Sequence, residues 1–270
     1  MKRLFSLAMA LAITMLLMLS VSGSGGRRVV TVVLNGETVT FDTPAYIENN
    51  RTMVPLRAVA EALGLEVTWD QTSATAWLSD GSWSPSLRGR TIVVDPGHGG
   101  ASTGASYGGV RESALNLSIA QALAEELRSL GASVVMTRSS DKDISLADRA
   151  AMANRLKADL FLSVHCNVSP TNPSAKGVYT AYHGSSAQSR RAAELLKNAM
   201  VSSAGVPDMG AHDRSDLAVL RLTDMPAVLL ECGFMSTPEE LALLLQPEHQ
   251  KALAQGAAYG AALFFSPPSL

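Results

Sequence analysis

The sequence predicts an α/β fold: a mostly parallel sheet sandwiched between helices, with a small β-rich accessory domain at the N-terminal side. Three observations predict it. From Thr91 onward, short apolar runs alternate with longer segments whose apolar residues recur at helical spacing, which is the rhythm of βαβ units. Between residues 29 and 79 the pattern is shorter, with brief alternating runs and turn signals around a single helix. A Gly/Ser/Pro stretch, DGSWSPSLRGR at 80–90, separates the two regions as a linker. Composition agrees with a globular chain: of 270 residues, 47% are apolar and 17% charged. Two Cys exclude a disulfide framework, and 22 basic against 24 acidic residues leave a net charge of −2, which gives no reason to expect nucleic acid.

Residues 1–24 have the form of a secretory signal peptide. Lys2 and Arg3 precede an apolar stretch from Leu4 to Leu19, broken only by Ser6 and Thr14, and small residues from Ser20 to Ser24 follow directly. The competing reading is a retained membrane anchor, because the stretch lies at the lower edge of bilayer-spanning length. The small residues and the lack of a charged stop favour cleavage, and no Cys lies near the cut to carry a lipid. Either way the remainder is expected to work outside the cytoplasm.

In the accessory region Val30, Val32 and Leu34 share one face of an extended run, Asn35-Gly36 is a hairpin turn, and Val39 and Phe41 resume the alternation. Val54-Pro55 then opens a helix whose Leu56, Val59, Ala60 and Leu63 share a face and which Gly64 stops. Residues 67–70 and 74–78 read as a closing hairpin. "LNGETVTFD" and "NNRTMVPLRAVAEALGLEVTWD" resemble the copper amine oxidase N-terminal-like domain. The resemblance implies no copper site, because residues 29–79 contain neither His nor Cys. Acids outnumber Arg51 and Arg57 there, so a spacer or protein-docking module is the expectation rather than one binding an acidic polymer.

In the larger region, 91–95 is an apolar strand followed by a Gly-rich turn. Leu115, Ile119, Leu123, Leu127 and Leu130 line one face of a helix ended by Gly131. A strand is expected at 134–137, and Ser145 with Asp148 forms a capping pair for a helix reaching Lys157. Strands follow at 160–164 and 177–182, a helix at 186–203, a short strand at 218–221 and a buried strand at 227–231. Thr237-Pro238-Glu239-Glu240 reads as a helix start with cap, N1 proline and capping-box Glu, and a last helix follows Pro247.

In open α/β sheets, sites form beyond the carboxyl ends of the strands. The three most apolar strands end in Asp95-Pro96-Gly97-His98, in His165-Cys166-Asn167 and in Glu231-Cys232-Gly233. Two imidazoles and a carboxylate therefore arrive at one edge. Glu112 adds a fourth group at a helix start, where the helix dipole favours an anion. Two His, a carboxylate and an open position make a catalytic zinc site, with another Glu available as general base. No His-Glu-x-x-His helix is present, so a thermolysin-type peptidase is not indicated.

"VVDPGHGGASTGA", "GGVRESALNLSIAQALAEELRSLGASVVMTR", "LADRAAMAN", "DLFLSVHCN" and "PAVLLECGFMSTPEE" occur in that order. Together they closely resemble the zinc-dependent N-acetylmuramoyl-L-alanine amidase family over residues 91–270. The resemblance implies hydrolysis of the amide between the lactyl group of N-acetylmuramic acid and the first L-alanine of peptidoglycan, as in an autolysin. It implies one Zn2+ held by His98, Glu112 and His165, with Glu231 as the catalytic glutamate that takes the proton of the attacking water. Peptidoglycan is then the substrate partner, and the chain is expected to act as a monomer.

Asn167 and Arg214 are candidates for substrate binding, the latter for the stem peptide or its carboxylates, although a loop cap and an exposed loop charge explain them as well. Asp95 could support a metal-bound His or stabilise its own turn, and Arg149 and Asn154 read as structural. His183, His212 and His249 are expected in loops or helix starts, outside the metal shell, with His212 as reserve ligand. Cys166 and Cys232 should point into packing by strand alternation, where a disulfide and free thiols both stay open. Two other functions compete: an inactive wall-binding protein, and a zinc peptidase acting on the stem peptide.

Overall fold

The structure is a computed structural model that describes residues 28–70, 75–81 and 86–266. The expected signal segment, 1–24, lies outside the described residues. The described residues split into two compact units, one of 28–69 with 76–81, the other of 86–266 together with Asp70 and Thr75.

The first unit contains β1 (Val29–Val30), β2 (Val33–Leu34), β3 (Glu37–Thr38), β4 (Ala45–Glu48), β5 (Arg51–Met53), α1 (Leu56–Ala62), β6 (Glu66–Asp70) and β7 (Thr75–Ser79). The expected Asn35-Gly36 turn joins β2 to β3, both residues having positive φ as a type I′ hairpin requires. The run from Val30 to Leu34 is not one strand, however. β1 pairs with β4 and β2 with β3, so the chain changes partners after Val30. A second left-handed pair, Asn49-Asn50, turns β4 into β5. Val30, Ala45 and Ala60 are buried in this unit.

The second unit follows as β8 (Thr91–Pro96), β9 (Ser106–Tyr107), β10 (Val110–Arg111), α2 (Glu112–Ser129), β11 (Ser133–Met136), α3 (Leu146–Leu156) and β12 (Leu160–Asn167). It continues with β13 (Val178–Tyr182), α4 (Ala187–Ala204), β14 (Asp208–Asp213), α5 (Ala218–Arg221), β15 (Ala227–Phe234), α6 (Pro238–Leu244) and α7 (Pro247–Phe265). Six strands form one sheet in the order β11-β8-β12-β15-β13-β14. β11, β8, β12 and β15 run parallel, while β13 runs antiparallel to β15 and takes β14 along as a parallel edge strand. Alternate residues of β8 go to opposite faces. Ile92 and Val94 pack with Leu115, Ile119, Leu123, Leu196, Met200 and Leu253 of α2, α4 and α7. Val93 joins Phe161, Ala153, Val219 and Leu220 against α3 and α5. The fold class expected from sequence is the one observed.

Two local expectations are overturned, and one strand of the sheet has no counterpart in the sequence reading. Residues 218–221 form a short helix rather than a strand, burying Val219 and Leu220 on the α3 face. The strand β14 was not foreseen: DMGAHD has no apolar run, and it is a strand because β13 offers it an open edge. At α6 the N1 proline is in place, but Thr237 makes no side-chain cap. Its hydroxyl donates instead to the carbonyls of Pro173 and Ala175, and Glu240 accepts from the Gly177 and Phe234 amides. Both residues tie the loop after β12 to the end of β15. The Ser145 cap on the Asp148 amide is present at 3.1 Å.

Candidate metal centre

β8, β12 and β15 lie side by side, so their carboxyl ends form one edge of the sheet. His165 and Glu231 are paired residues on adjacent strands. After Pro96 the chain crosses the end of β12 at Gly97. A Cβ at that position would stand 2.2 Å from His165 Nε2, so only glycine lets the backbone pass. His98 then adopts a left-handed conformation with φ of 62°, followed by Gly99 and Gly100, also at positive φ.

Glu112 is the first residue of α2 and is buried. Its Oε2 accepts from the Ala105 amide at 2.9 Å and lies 3.4 Å from His98 Nε2. Its Oε1 lies 2.9 Å from His165 Nδ1 and accepts from Asn116 Nδ2 at 3.2 Å. The two imidazoles meet edge to face with centroids 5.0 Å apart. One potential ligand atom from each of His98, Glu112 and His165 lies within 4.8 Å of the others.

The electrostatics follow from this geometry. Burial works to raise the Glu112 pKa, but hydrogen bonds from His165 and His98, the charge of His165 and the Ala105 amide outweigh it, holding the carboxyl well below the usual range. Burial works to lower His165, and the bond to Glu112 with the charges of Glu231, Glu112 and Asp95 raises it overall. Glu231 is pushed up to about 7, chiefly by burial and by the charge of Glu112; the charges of His165 and Arg214 and the nearby Tyr179 hydroxyl oppose the shift. Its Oε2 is buried without a hydrogen-bond partner.

These residues fit a divalent cation on two observations. Around a tetrahedral ion with bonds of about 2.0–2.1 Å, neighbouring donors stand about 3.4 Å apart, on the scale seen between His98 and Glu112. At Gly104 a Cβ would come within 2.5 Å of Glu112 Oε2 and 2.8 Å of His98 Cδ2, so this glycine leaves the cradle room. A nitrogen, nitrogen, carboxylate set with an ionised acid between two imidazoles suits zinc.

The other predicted residues fall as follows. Asn167 accepts from the neighbouring Val168 amide through its own side chain at 2.7 Å, a loop-capping arrangement. Arg214 is half-buried and forks onto Asp216 with two contacts of 2.8 Å, while its charge acts on Glu231. His212 lies on β14, not in a loop or helix start, and stacks edge-on against Tyr179 at 5.3 Å. It is not among the three clustered ligands. Cys166 and Cys232 are free and buried in the apolar core, as alternation suggests. Asp95 touches no imidazole: it accepts from Thr137, Arg149 and Ser163, and the group that bonds His98 Nδ1 is Ser102, at 3.1 Å. Arg149 bonds the His98 carbonyl.

Sequence reasoning missed Ser102, Asn116, Arg138 and Tyr179. Asn116 was accessible in principle, because it stands four residues after Glu112 on the same helical face. Tyr179 reaches Glu231 only because β13 is antiparallel and pairs the two residues, which no local pattern announces.

A six-stranded α/β sheet that gathers two imidazoles and two carboxylates at one edge carries a donor set of the kind metal-dependent hydrolases use. The chain belongs to the N-acetylmuramoyl-L-alanine amidase family, which matches residues 92–262, and a copper amine oxidase N-terminal domain matches residues 33–97 ahead of it. Among its relatives, the probable cell wall amidase LytH of Staphylococcus epidermidis is 37% identical over 183 residues, covering 67% of this chain and 60% of LytH. The uncharacterized protein YqiI of Bacillus subtilis is 33% identical, covering 64% of this chain and 84% of YqiI. The crystal structure of the N-acetylmuramoyl-L-alanine amidase from Clostridium difficile 630 superposes with a TM-score of 0.64 at 34% identity, over 69% of this chain and all of that one.

Proposed function

We propose that this amidase is an exported cell-wall enzyme with one zinc ion on His98, Glu112 and His165 and with Glu231 as its general base. It opens the amide between the lactyl carbonyl of N-acetylmuramic acid and L-alanine. The observation that carries this reading is the convergence of the three donors within 4.8 Å beside a partnerless carboxyl oxygen of Glu231.

Bound there, zinc supplies Lewis acidity toward the scissile carbonyl and toward water. The chain's own groups do the rest. Glu112, kept ionised by its imidazole and amide contacts, balances cationic charge at the cleft. Glu231, with a pKa of about 7, takes a proton from the attacking water and returns it to the departing alanine nitrogen. The Tyr179 hydroxyl, whose pKa is raised chiefly by burial, stays protonated on the residue that pairs with Glu231 across the sheet. Arg214 binds stem-peptide carboxylates at the rim, and Asn167 shapes the loop beside the scissile bond.

The organisation that goes with this reading is export by 1–24, an accessory domain at 29–79 that docks to wall or protein, a linker at 80–90 and a catalytic domain at 91–270, working as a monomer. The basic start and apolar run of residues 2–19 support export. Mass spectrometry of peptidoglycan digested by the purified protein tests the reaction. Stem peptides with a free N-terminal alanine, and their loss on chelation, are expected. Cleavage inside the stem would make the protein a peptidase, and an undigested wall would make it a binding protein.

A further inference from the structure

The turn that delivers His98 is held by two buried arginines. The Pro96 carbonyl accepts from Arg138 Nε at 2.9 Å and from Arg149 Nη1 at 2.7 Å, and the Gly97 carbonyl accepts from Arg138 Nη2 at 2.9 Å. The His98 carbonyl accepts from Arg149 Nη2 at 2.7 Å. Arg149 is itself fixed by Asp95, at 2.7 Å, and by the Ile144 carbonyl at 3.0 Å. Asp95, wholly buried, is held in turn by the Thr137 and Ser163 hydroxyls. Beyond His98, Asp141 and Asp143 accept the amides of Gly100, Ala101 and Ser102.

Two features set this apart from ordinary loop packing. Two guanidiniums, 1% and 3% exposed, are buried at one turn, Arg149 paired with the buried Asp95 and Arg138 bonded to backbone carbonyls, an arrangement whose desolvation is costly. What they grip is a non-glycine residue at φ of 62°, a conformation that persists only where its surroundings over-determine it. The handedness of that residue decides where its imidazole goes. In the observed turn Nδ1 meets Ser102 and Nε2 stands 3.4 Å from Glu112.

We propose that Arg149, anchored by Asp95, is a positioning residue of the metal centre: by holding the His98 carbonyl it fixes the left-handed turn that brings the His98 imidazole to Glu112 and His165. This rests on the reading of those three residues as zinc ligands.

The test is zinc affinity of the metal-free full chain, measured by competition with a chromophoric chelator beside thermal unfolding of the same samples. Arg149→Lys keeps a cation near Asp95 but loses the planar fork. Asp95→Asn keeps the shape of the anchor while weakening it, and serves if the lysine variant does not fold. His98→Ala sets the scale for loss of a ligand. Asn154→Ala, on the same helix but bonded to Leu222 and Asp224, is the control for stability alone. The expected result is a zinc Kd about 10–100-fold weaker in Arg149→Lys and about tenfold weaker in Asp95→Asn, the range for groups that orient a metal ligand. Asn154→Ala should melt lower with its Kd within about twofold of the parent. A folded Arg149→Lys or Asp95→Asn protein with parental zinc affinity, or one that merely melts lower like the control, overturns the positioning role and leaves the ligand set standing. A parent chain that binds no zinc overturns the ligand set itself, and the positioning role with it.

Discussion

Glu231 and Glu112 stand at the same sheet edge with opposite tendencies. Glu112 is kept ionised by two imidazoles and an amide, whereas Glu231 is withdrawn from water and feels the Glu112 charge, so its proton leaves only near pH 7. Environments that push two acids apart are how one site holds a permanent anion and a working base. The sign for activity follows. As pH falls through about 7 Glu231 gains a proton and stops acting as base, and a cation on the neighbouring ligands pulls that transition to lower pH. We therefore expect kcat/KM to fall on the acid side with a midpoint at or below about 7; a profile flat from about pH 4 to 8 would remove Glu231 from the role. Glu231→Gln should lower kcat by about 10²–10⁴-fold while zinc content by metal analysis stays at the parental level. Loss of the metal in that variant would instead place Glu231 among the ligands.

The helices behind the sheet are joined most closely where α7 crosses α4. Gly256 and Gly260 are one helical turn apart on α7, and a Cβ on Gly260 would stand 2.6 Å from Leu196 Cα and 2.8 Å from the Leu195 carbonyl. On Gly256 it would meet the Ala199 carbonyl at 2.5 Å. Ala is the better helix former by about 1 kcal/mol, so in an isolated helix Gly260→Ala would stabilise. Here the contact is backbone against side chain, and backbone yields little. Overpacking should win, with Gly260→Ala destabilising the fold by about 1–3 kcal/mol in denaturant unfolding. A stabilised variant would show that the two helices separate freely. The same contrast between local preference and packing explains α5 and β14, whose sequences favour other states than the ones their neighbours impose.

For the catalytic unit as a whole, metal binding and folding are linked. The donors come from the turn after β8, from the start of α2 and from β12, segments brought together only in the folded chain. An ion that binds the folded state alone adds about 2.7 kcal/mol of stability at a free concentration 100 times Kd. For a unit of this size that corresponds to about 5–10 °C in Tm. Calorimetry with and without zinc should show this rise for the parent and none for His98→Ala. An equal rise in both would mean the ion binds elsewhere.

Much of the fold was legible because it is written in short-range order. The helical faces of α2 and α4, the apolar strands β8, β12 and β15 and the Asn35-Gly36 turn follow from spacings within about a dozen residues. The site was legible for a related reason: parallel strands in an open sheet place their carboxyl ends together, so His98, His165 and Glu231 could be assigned to one edge before their distances were known. What the sequence alone could not determine involves residues far apart along the chain. Whether β13 runs parallel or antiparallel, and so whether Tyr179 faces Glu231, depends on strand pairing. Thr237 and Glu240 look like a capping box, yet their hydroxyl and carboxyl serve a loop some 60 residues earlier. Arg138 and Arg149 follow the His98 turn by 40 to 53 residues and grip it only once β11 and α3 have packed against β8. Local propensity sets which element forms, but a buried side chain bonds to whatever the completed topology leaves unsatisfied beside it, and that partner exists only in the tertiary structure.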